Sequence, residues 1–286
     1  MNTGGWNALV QPEAVAAALG EAEVVLVDCR FSLADTAQGE RAYRQAHLPG
    51  ARYAHLDQDL SGPPDAGQGQ GRHPWPDAAA FVRRLSSWGI APHSRVVAYD
   101  AGDGAHAARL WCLLRALGHE HVAVLDGGWS RWTALGLPVD ADLLSPAPVP
   151  YAGRFDASSL VDADEVAGHL ERGGLLVDAR ARERFRGEIE PLDAVAGHVP
   201  GAVNRPYAAN LEEGRFKSAA RLRTEFEALL AGRDASALVA MCGSGVTACH
   251  HLLALAHAGL HGARLYPGSW SGWISDPARP VATGDA

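Results

Sequence analysis

Three landmarks occur twice in this chain, in the same order and at nearly the same spacing. Val25-Leu26-Val27-Asp28-Cys29-Arg30 returns as Leu175-Leu176-Val177-Asp178-Ala179-Arg180. His47-Leu48-Pro49-Gly50-Ala51 returns as His198-Val199-Pro200-Gly201-Ala202, and Gly127-Gly128-Trp129 as Pro267-Gly268-Ser269-Trp270. The step from Asp28 to His47 is 19 residues and that from Asp178 to His198 is 20. Ala101 precedes Trp129 by 28 residues, as Cys242 precedes Trp270. Matched order and spacing across three landmarks predict a tandem duplication, with about 130–140 residues per copy, a normal domain size. At 286 residues the chain is long enough for two cores.

Each copy alternates short apolar runs with helical patterns. In the first, Val24–Asp28, Arg95–Tyr99 and Val122–Leu125 read as buried strands. Pro12–Leu19, the stretch from Pro76-Asp77 that carries Phe81, Val82, Leu85 and Trp88, and Ala105–Leu117 read as helices. This alternation predicts an α/β fold: two tandem domains, each a parallel sheet flanked by helices. The expected boundaries are 6–140 and 157–282. Residues 141–156, with Pro146, Pro148 and Pro150, read as a semi-rigid linker. Residues 61–75, rich in Gly, Pro and Gln, read as a long surface loop.

The charge balance narrows the function. With 25 Lys+Arg against 33 Asp+Glu the formal net charge is −8, and no basic patch stands out, which argues against nucleic acid as a partner. No apolar run approaches the length of a membrane span. The four cysteines (Cys29, Cys112, Cys242, Cys249) form no CxxC pair, and the histidines have no ligand spacing with them. Neither a metal nor a cofactor is expected. Free thiols suit a reducing compartment. The first residues lack the charged and apolar regions of a signal peptide, so the expected location is cytoplasmic.

Chemistry concentrates in Cys242-Gly243-Ser244-Gly245-Val246-Thr247. The apolar run Ala237–Met241 leads in and a helical pattern, Thr247–His257, leads out. A cysteine at such a strand–loop–helix junction faces backbone N–H groups and the positive end of a helix, and both favour a thiolate. The glycines permit the turns that aim those N–H groups inward. Alignment on the tryptophans puts Ala101 where Cys242 stands, with Gly102 and Gly104 retained, so the fold does not require the thiol and the first copy is expected to be inactive. Cys249 lies two helical turns from Cys242, about 10 Å, which is beyond disulfide reach; it reads as a core residue, like Cys112. Trp270 and Trp273 are candidates for the walls of the site.

These features together resemble the tandem rhodanese-domain sulfurtransferases. The residues that carry the resemblance are the Cys242–Ala248 loop, both Val-Asp-x-Arg strands, both His-x-Pro-Gly-Ala turns and the two tryptophan turns. It spans about residues 6–282, and its loop is most similar to the 3-mercaptopyruvate sulfurtransferases. Thiosulfate-preferring members usually carry two basic residues after the cysteine, where this chain has Gly243 and Ser244. The resemblance implies a catalytic second domain, an inactive first one and an active site in the cleft between them. It implies that Cys242 takes sulfur from the donor as a persulfide and passes it to a thiol, cyanide or thioredoxin. Gly243, Gly245, Val246 and Thr247 would hold the anionic sulfur through the loop, and Ser244 would donate a hydrogen bond to the leaving group. Arg184, just before Phe185, would clamp the donor's carboxylate. Arg180 would pair internally. A second clamp expected in the Glu-Pro-Arg stretch is missing, because this chain reads Glu190-Pro191-Leu192-Asp193; Arg186 or Arg205 is a candidate replacement. His47 and Asp35 would complete a Ser-His-Asp relay with Ser244, although His198 in the second copy shows that such a histidine also suits a purely structural turn.

Three other readings share the cysteine. A thiosulfate sulfurtransferase would use the same residues with a dianionic donor. A persulfide carrier would need a partner desulfurase. A phosphatase would place an arginine six residues after the cysteine, where this chain has Ala248.

Overall fold

The computed structural model describes residues 6–64 and 69–285. They form two compact units, each built on a parallel sheet. The first unit takes the described residues up to Ser61, together with Pro76–Asp156 and Glu213–Phe216. The second takes those of Gly62–Trp75, with Ala157–Glu212 and the chain from Lys217 onward.

In the first unit the strand order is Leu9–Val10, Val122–Leu125, Arg95–Tyr99, Val24–Asp28, Arg52–Tyr53, all parallel. In the second it is Arg264–Leu265, Leu238–Met241, Leu175–Asp178, Val203–Asn204, again all parallel. The apolar runs form these strands because the central ones are buried on both faces. The first core gathers Val10, Leu26, Val97, Tyr99 and Trp132; the second gathers Val166, Leu176, Phe185, Met241 and Trp270. The helix after Pro76 runs Ala78–Ser87, capped by the Asp77 carboxylate, with Phe81 and Leu85 buried.

The repeated motifs are structural clips. Asp28 receives the Arg30 guanidinium at 2.6 Å, and Arg30 donates on to the Ala46 carbonyl at 2.7 Å and lies over the Trp129 ring. Asp178, Arg180, the Gly197 carbonyl and Trp270 repeat this arrangement, so Arg180 is paired internally. A buried charge is tolerable here because each guanidinium is paired with a carboxylate and also donates to a backbone carbonyl. The two histidine turns are likewise alike. His47 Nδ1 meets the Tyr43 carbonyl at 2.7 Å and its ring stacks on Tyr43, while its backbone bridges Asp140. His198 Nδ1 meets the Phe185 carbonyl at 2.8 Å and stacks on Phe185, with its backbone bridging Ala282.

Residues 141–156, expected as a spacer, lie along the first unit. Val149 N–H donates to the Ser86 carbonyl, Asp156 N–H to the Ala116 carbonyl, and Tyr151 Oη meets His119 Nδ1 at 2.9 Å. The flanking prolines remove N–H donors, so the segment adheres through single bonds to helices and does not extend the sheet. The expected surface loop at 61–75 is corrected in part. Residues 65–68 lie outside the described residues, but His73 and Pro74 are buried in the second unit. Gly71, at φ +76°, allows that docking, because a methyl there would lie 2.4 Å from the Gly268 carbonyl oxygen.

The equivalence of Ala101 and Cys242 is corrected by one residue. Asp28 is opposite Tyr99 in the first sheet as Asp178 is opposite Met241 in the second. Trp129 N–H donates to the Asp100 carbonyl, and Trp270 N–H to that of Cys242. Asp100 therefore holds the position of Cys242. Its carboxylate accepts from the N–H groups of Gly102, Gly104, His106 and Ala107 at 3.0–3.1 Å. The amide cradle of the first unit is thus filled by the chain's own anion. Removing it with Asp100→Ala leaves four buried or half-buried donors unsatisfied. The expected result is a loss of about 2–4 kcal/mol, read as a lowered urea midpoint, whereas Asp100→Asn retains part of the network and costs less.

Candidate active site

The second unit builds its loop differently. Cys242 follows the strand Leu238–Met241 and is buried. Its N–H donates to Ser269 Oγ at 3.0 Å, and that hydroxyl donates to the Tyr266 carbonyl at 2.9 Å. The carbonyls of Cys242 and Gly243 accept from Trp270 and Ser271, both at 2.9 Å. Gly245 N–H donates to Cys242 Sγ at 3.1 Å. Gly245 sits at φ +77°, and a methyl there would lie 2.4 Å from the Pro267 carbonyl oxygen, so only glycine turns the loop this tightly. Val246 is buried, and Thr247 opens the helix Ala248–His257.

Ser269 is a site residue that sequence reasoning missed. It is fully buried and held at φ +50°, a conformation L-residues seldom adopt, and it matches Gly128 at φ +52° in the first unit. The signal was present in the repeat: Gly-Gly-Trp in the first copy became Gly-Ser-Trp in the second. The strained serine places a hydroxyl under the cysteine's backbone where the first copy has none.

Ser244 Oγ lies 2.7 Å from a histidine nitrogen, and the histidine is His73 (Nδ1), not His47. His47 is engaged in its own unit as described, and Asp35 is exposed, pairing with Arg41 at 2.5 Å. That Arg41 hydrogen bond holds the Asp35 carboxyl below its ordinary value. His73 lies in the first half of the sequence and has no counterpart in the second, so the repeat could not reveal it.

Two guanidinium groups face the loop. A Cβ on Gly243 would lie 3.5 Å from both Nη atoms of Arg184 and from Nη2 of Arg72. Arg184 is tied to Glu190 at 2.7 Å and to Asp193 at 3.0 Å. Arg72 Nη1 meets the other oxygen of Asp193 at 2.5 Å. The expected stand-ins are elsewhere: Arg186 pairs with Glu188 and Asp285, and Arg205 with Glu225. Arg182 is exposed and pairs with Asp285. Leu192 faces solvent. Trp270 and Trp273 are core residues, their indole N–H groups donating to the Val195 and Pro280 carbonyls.

The other thiols are differently placed. Burial pushes the Cys29 thiol well above its ordinary value, and Asp28, Asp100 and Asp59 add to that. Cys249 Sγ donates to the Gly245 carbonyl at 3.3 Å inside the core. Among the described residues no cluster of side chains could hold a metal ion, and no helix is long and apolar enough to cross a membrane.

A doubled parallel α/β unit with a cysteine loop in one copy and a filled loop in the other defines a tandem rhodanese-type protein. The family model described as "Rhodanese-like domain" matches residues 11–135 and 162–276, and the chain belongs to that family. It is 50% identical over 280 residues to a probable 3-mercaptopyruvate sulfurtransferase of Pseudomonas aeruginosa, covering 97% of this chain and 98% of that one. It is 41% identical over 272 residues to a putative thiosulfate sulfurtransferase, SseB, of Mycobacterium tuberculosis, covering 92% of each. The solved 3-mercaptopyruvate sulfurtransferase from Leishmania major superposes with a TM-score of 0.80 at 31% identity, over 93% of this chain and 73% of that one. The chain is an enzyme of the sulfurtransferase class.

Proposed function

We propose that this enzyme moves sulfur from 3-mercaptopyruvate to a thiol or cyanide through a persulfide on Cys242. The observation that carries the reading is the grouping of Cys242 Sγ, its Gly245 N–H donor, the Ser244–His73 pair and two guanidinium groups around one loop. The Cys242 thiolate attacks the donor's sulfur. The new S–S bond forms as the donor's C–S bond breaks, and the electron pair of that bond leaves on the enolate of pyruvate. Ser244 donates to the oxygen on which that charge develops, and His73, 2.7 Å away, supplies and recovers the proton. The enolate takes up a proton to give pyruvate. An acceptor thiolate then attacks the outer sulfur, forming its own persulfide and returning Cys242 as thiolate. The Gly245 N–H stabilises sulfur anions in both stages.

The relative named as a thiosulfate enzyme keeps a second donor in view. Arg72, Arg184, Glu190 and Asp193 together carry no net charge, which suits a monocarboxylate better than a dianion. The test is intact mass after incubation with 3-mercaptopyruvate alone, alongside kcat/KM for both donors. One added sulfur on Cys242 and a higher kcat/KM for 3-mercaptopyruvate support the proposal. A higher value for thiosulfate would replace the donor, and no added sulfur without a partner protein would make this a carrier.

A further inference from the structure

We infer that Arg72 is the second arm of the donor clamp, aligned with Arg184 by the bridging carboxylate of Asp193. The inference deepens the proposed function and rests on it for the identity of the donor.

The argument begins at the turn Glu190-Pro191-Leu192-Asp193. The Glu190 side chain is buried, and its carboxylate accepts from the backbone of Leu192 and Asp193 as well as from Arg180 and Arg184. The turn is therefore wrapped around an acid, and Leu192 is directed to solvent while Asp193 is directed inward, its side chain 4% exposed. The two oxygens of Asp193 take one arginine each: Oδ1 takes Arg72 Nη1 and Oδ2 takes Arg184 Nη2. A carboxylate shared in this way fixes both planar forks and offsets their mutual repulsion. Arg72 is also anchored through its backbone, whose N–H donates to Ser271 Oγ at 3.0 Å; Ser271 in turn is bonded to the Gly243 carbonyl.

Donors are left over on both forks. Arg72 Nε is buried without a hydrogen-bond partner among the described residues, and the hydrogen bonds of Arg184 to Glu190 and Asp193 there run through Nε and Nη2, not Nη1. The two guanidinium groups lie against Gly243, the residue after the nucleophile, through Nη2 of Arg72 and both Nη atoms of Arg184, and the missing side chain leaves room there. An unsatisfied buried guanidinium N–H beside a nucleophile calls for an anionic oxygen. A donor carboxylate held by both arms would leave its sulfur toward Cys242. A basic residue at position 243 would instead meet two like charges, so in this chain cationic recognition comes from the walls and not from the loop.

The test uses the full chain and two readouts. The first is the ratio of Cys242 alkylation rates with iodoacetate and with neutral iodoacetamide, which reports anion capture without assuming a donor. The second is the steady-state kinetics with 3-mercaptopyruvate. Arg72→Gln is expected to lower the alkylation ratio several-fold and to raise KM for 3-mercaptopyruvate by roughly 10–100-fold, with kcat changed far less. Arg72→Lys keeps the charge without the fork and should fall between, which also guards against a misfolded Gln variant. Arg184→Gln should act in the same direction. An unchanged alkylation ratio in Arg72→Gln overturns the clamp. If the ratio falls but the parent enzyme does not turn over 3-mercaptopyruvate, the donor assignment fails and the anion clamp stands.

Discussion

Replacing Cys242 by serine is expected to reduce sulfur transfer by at least about 10³-fold, to the uncatalysed background, while the fold remains intact. Serine fits the buried site and can accept the Gly245 N–H bond, so packing changes little. Chemistry changes completely, because a serine hydroxyl is not ionised near neutral pH and cannot form the sulfur–sulfur bond. The other three thiols are not placed to take over: Cys29 is buried among acids, Cys112 is buried in a helix of the first unit, and Cys249 is hydrogen-bonded in the core. Pyruvate release followed by a coupled dehydrogenase assay, with near-ultraviolet circular dichroism as the check on folding, measures the effect. A variant retaining more than a tenth of the activity would remove Cys242 from the centre of the mechanism. Within the same assay, His73→Gln should lower kcat by roughly 10²-fold or more while Cys242 remains alkylatable, since the proton relay is lost and the thiol is not.

The second large effect is on stability. His251 is fully buried beside His250 and Phe226; its Nδ1 meets Asn210 Nδ2 at 2.9 Å and its Nε2 meets the Arg205 carbonyl at 2.8 Å. Burial first, then the neighbouring His250, brings its pKa down to about 3 from 6.5. The folded state thus holds this imidazole neutral while the unfolded chain protonates it. The stabilisation is fully present above pH 6.5 and is lost progressively as pH falls from 6.5 toward 3. At 1.36 kcal/mol for each tenfold difference in proton affinity, the loss is on the order of 2–3 kcal/mol at pH 4.5 and grows toward pH 3. Urea unfolding followed by tryptophan fluorescence at pH 7 and pH 4.5 reads it. His251→Gln should be less stable than the parent at pH 7 but show a distinctly shallower loss on acidification. Parallel losses in the two proteins would show that carboxylates alone govern the acid sensitivity.

Much of the architecture was legible because its signals are local. Val24–Asp28, Arg95–Tyr99 and Val122–Leu125 are strands at the limits their apolar runs suggest. Cys242 stood out because strand, loop and helix are consecutive, so the junction is visible in one short stretch. The one-residue offset that puts Asp100, and not Ala101, opposite Cys242 was hidden. The spacing to the tryptophan is the same from Ala101 and from Cys242, and only the hydrogen-bonded register separates the two alignments. His73 and Arg72 were hidden for another reason. They sit in a Gly- and Pro-rich segment without periodicity and without a copy in the second half, so neither pattern nor repeat could place them. The one available hint was Gly71-Arg72-His73-Pro74-Trp75, where two ionisable side chains and a tryptophan interrupt an otherwise bland loop. His47 invited a catalytic role by its motif, yet its duplicate, His198, has the same carbonyl partner and the same stacking, which is what a fold requirement produces.

The described residues of Gly62–Trp75 belong to the second unit, so the halves of the sequence are not the two units of the fold. A descendant of this chain that discarded its first half would keep the nucleophile and its amide but lose the imidazole on Ser244 and one of the two guanidinium groups at Gly243. The first copy, with its cradle closed by Asp100, therefore contributes a segment of its sequence to the second unit. Two copies that exchange chain in this way can no longer be inherited one without the other, so a duplication followed by such an exchange is not easily undone.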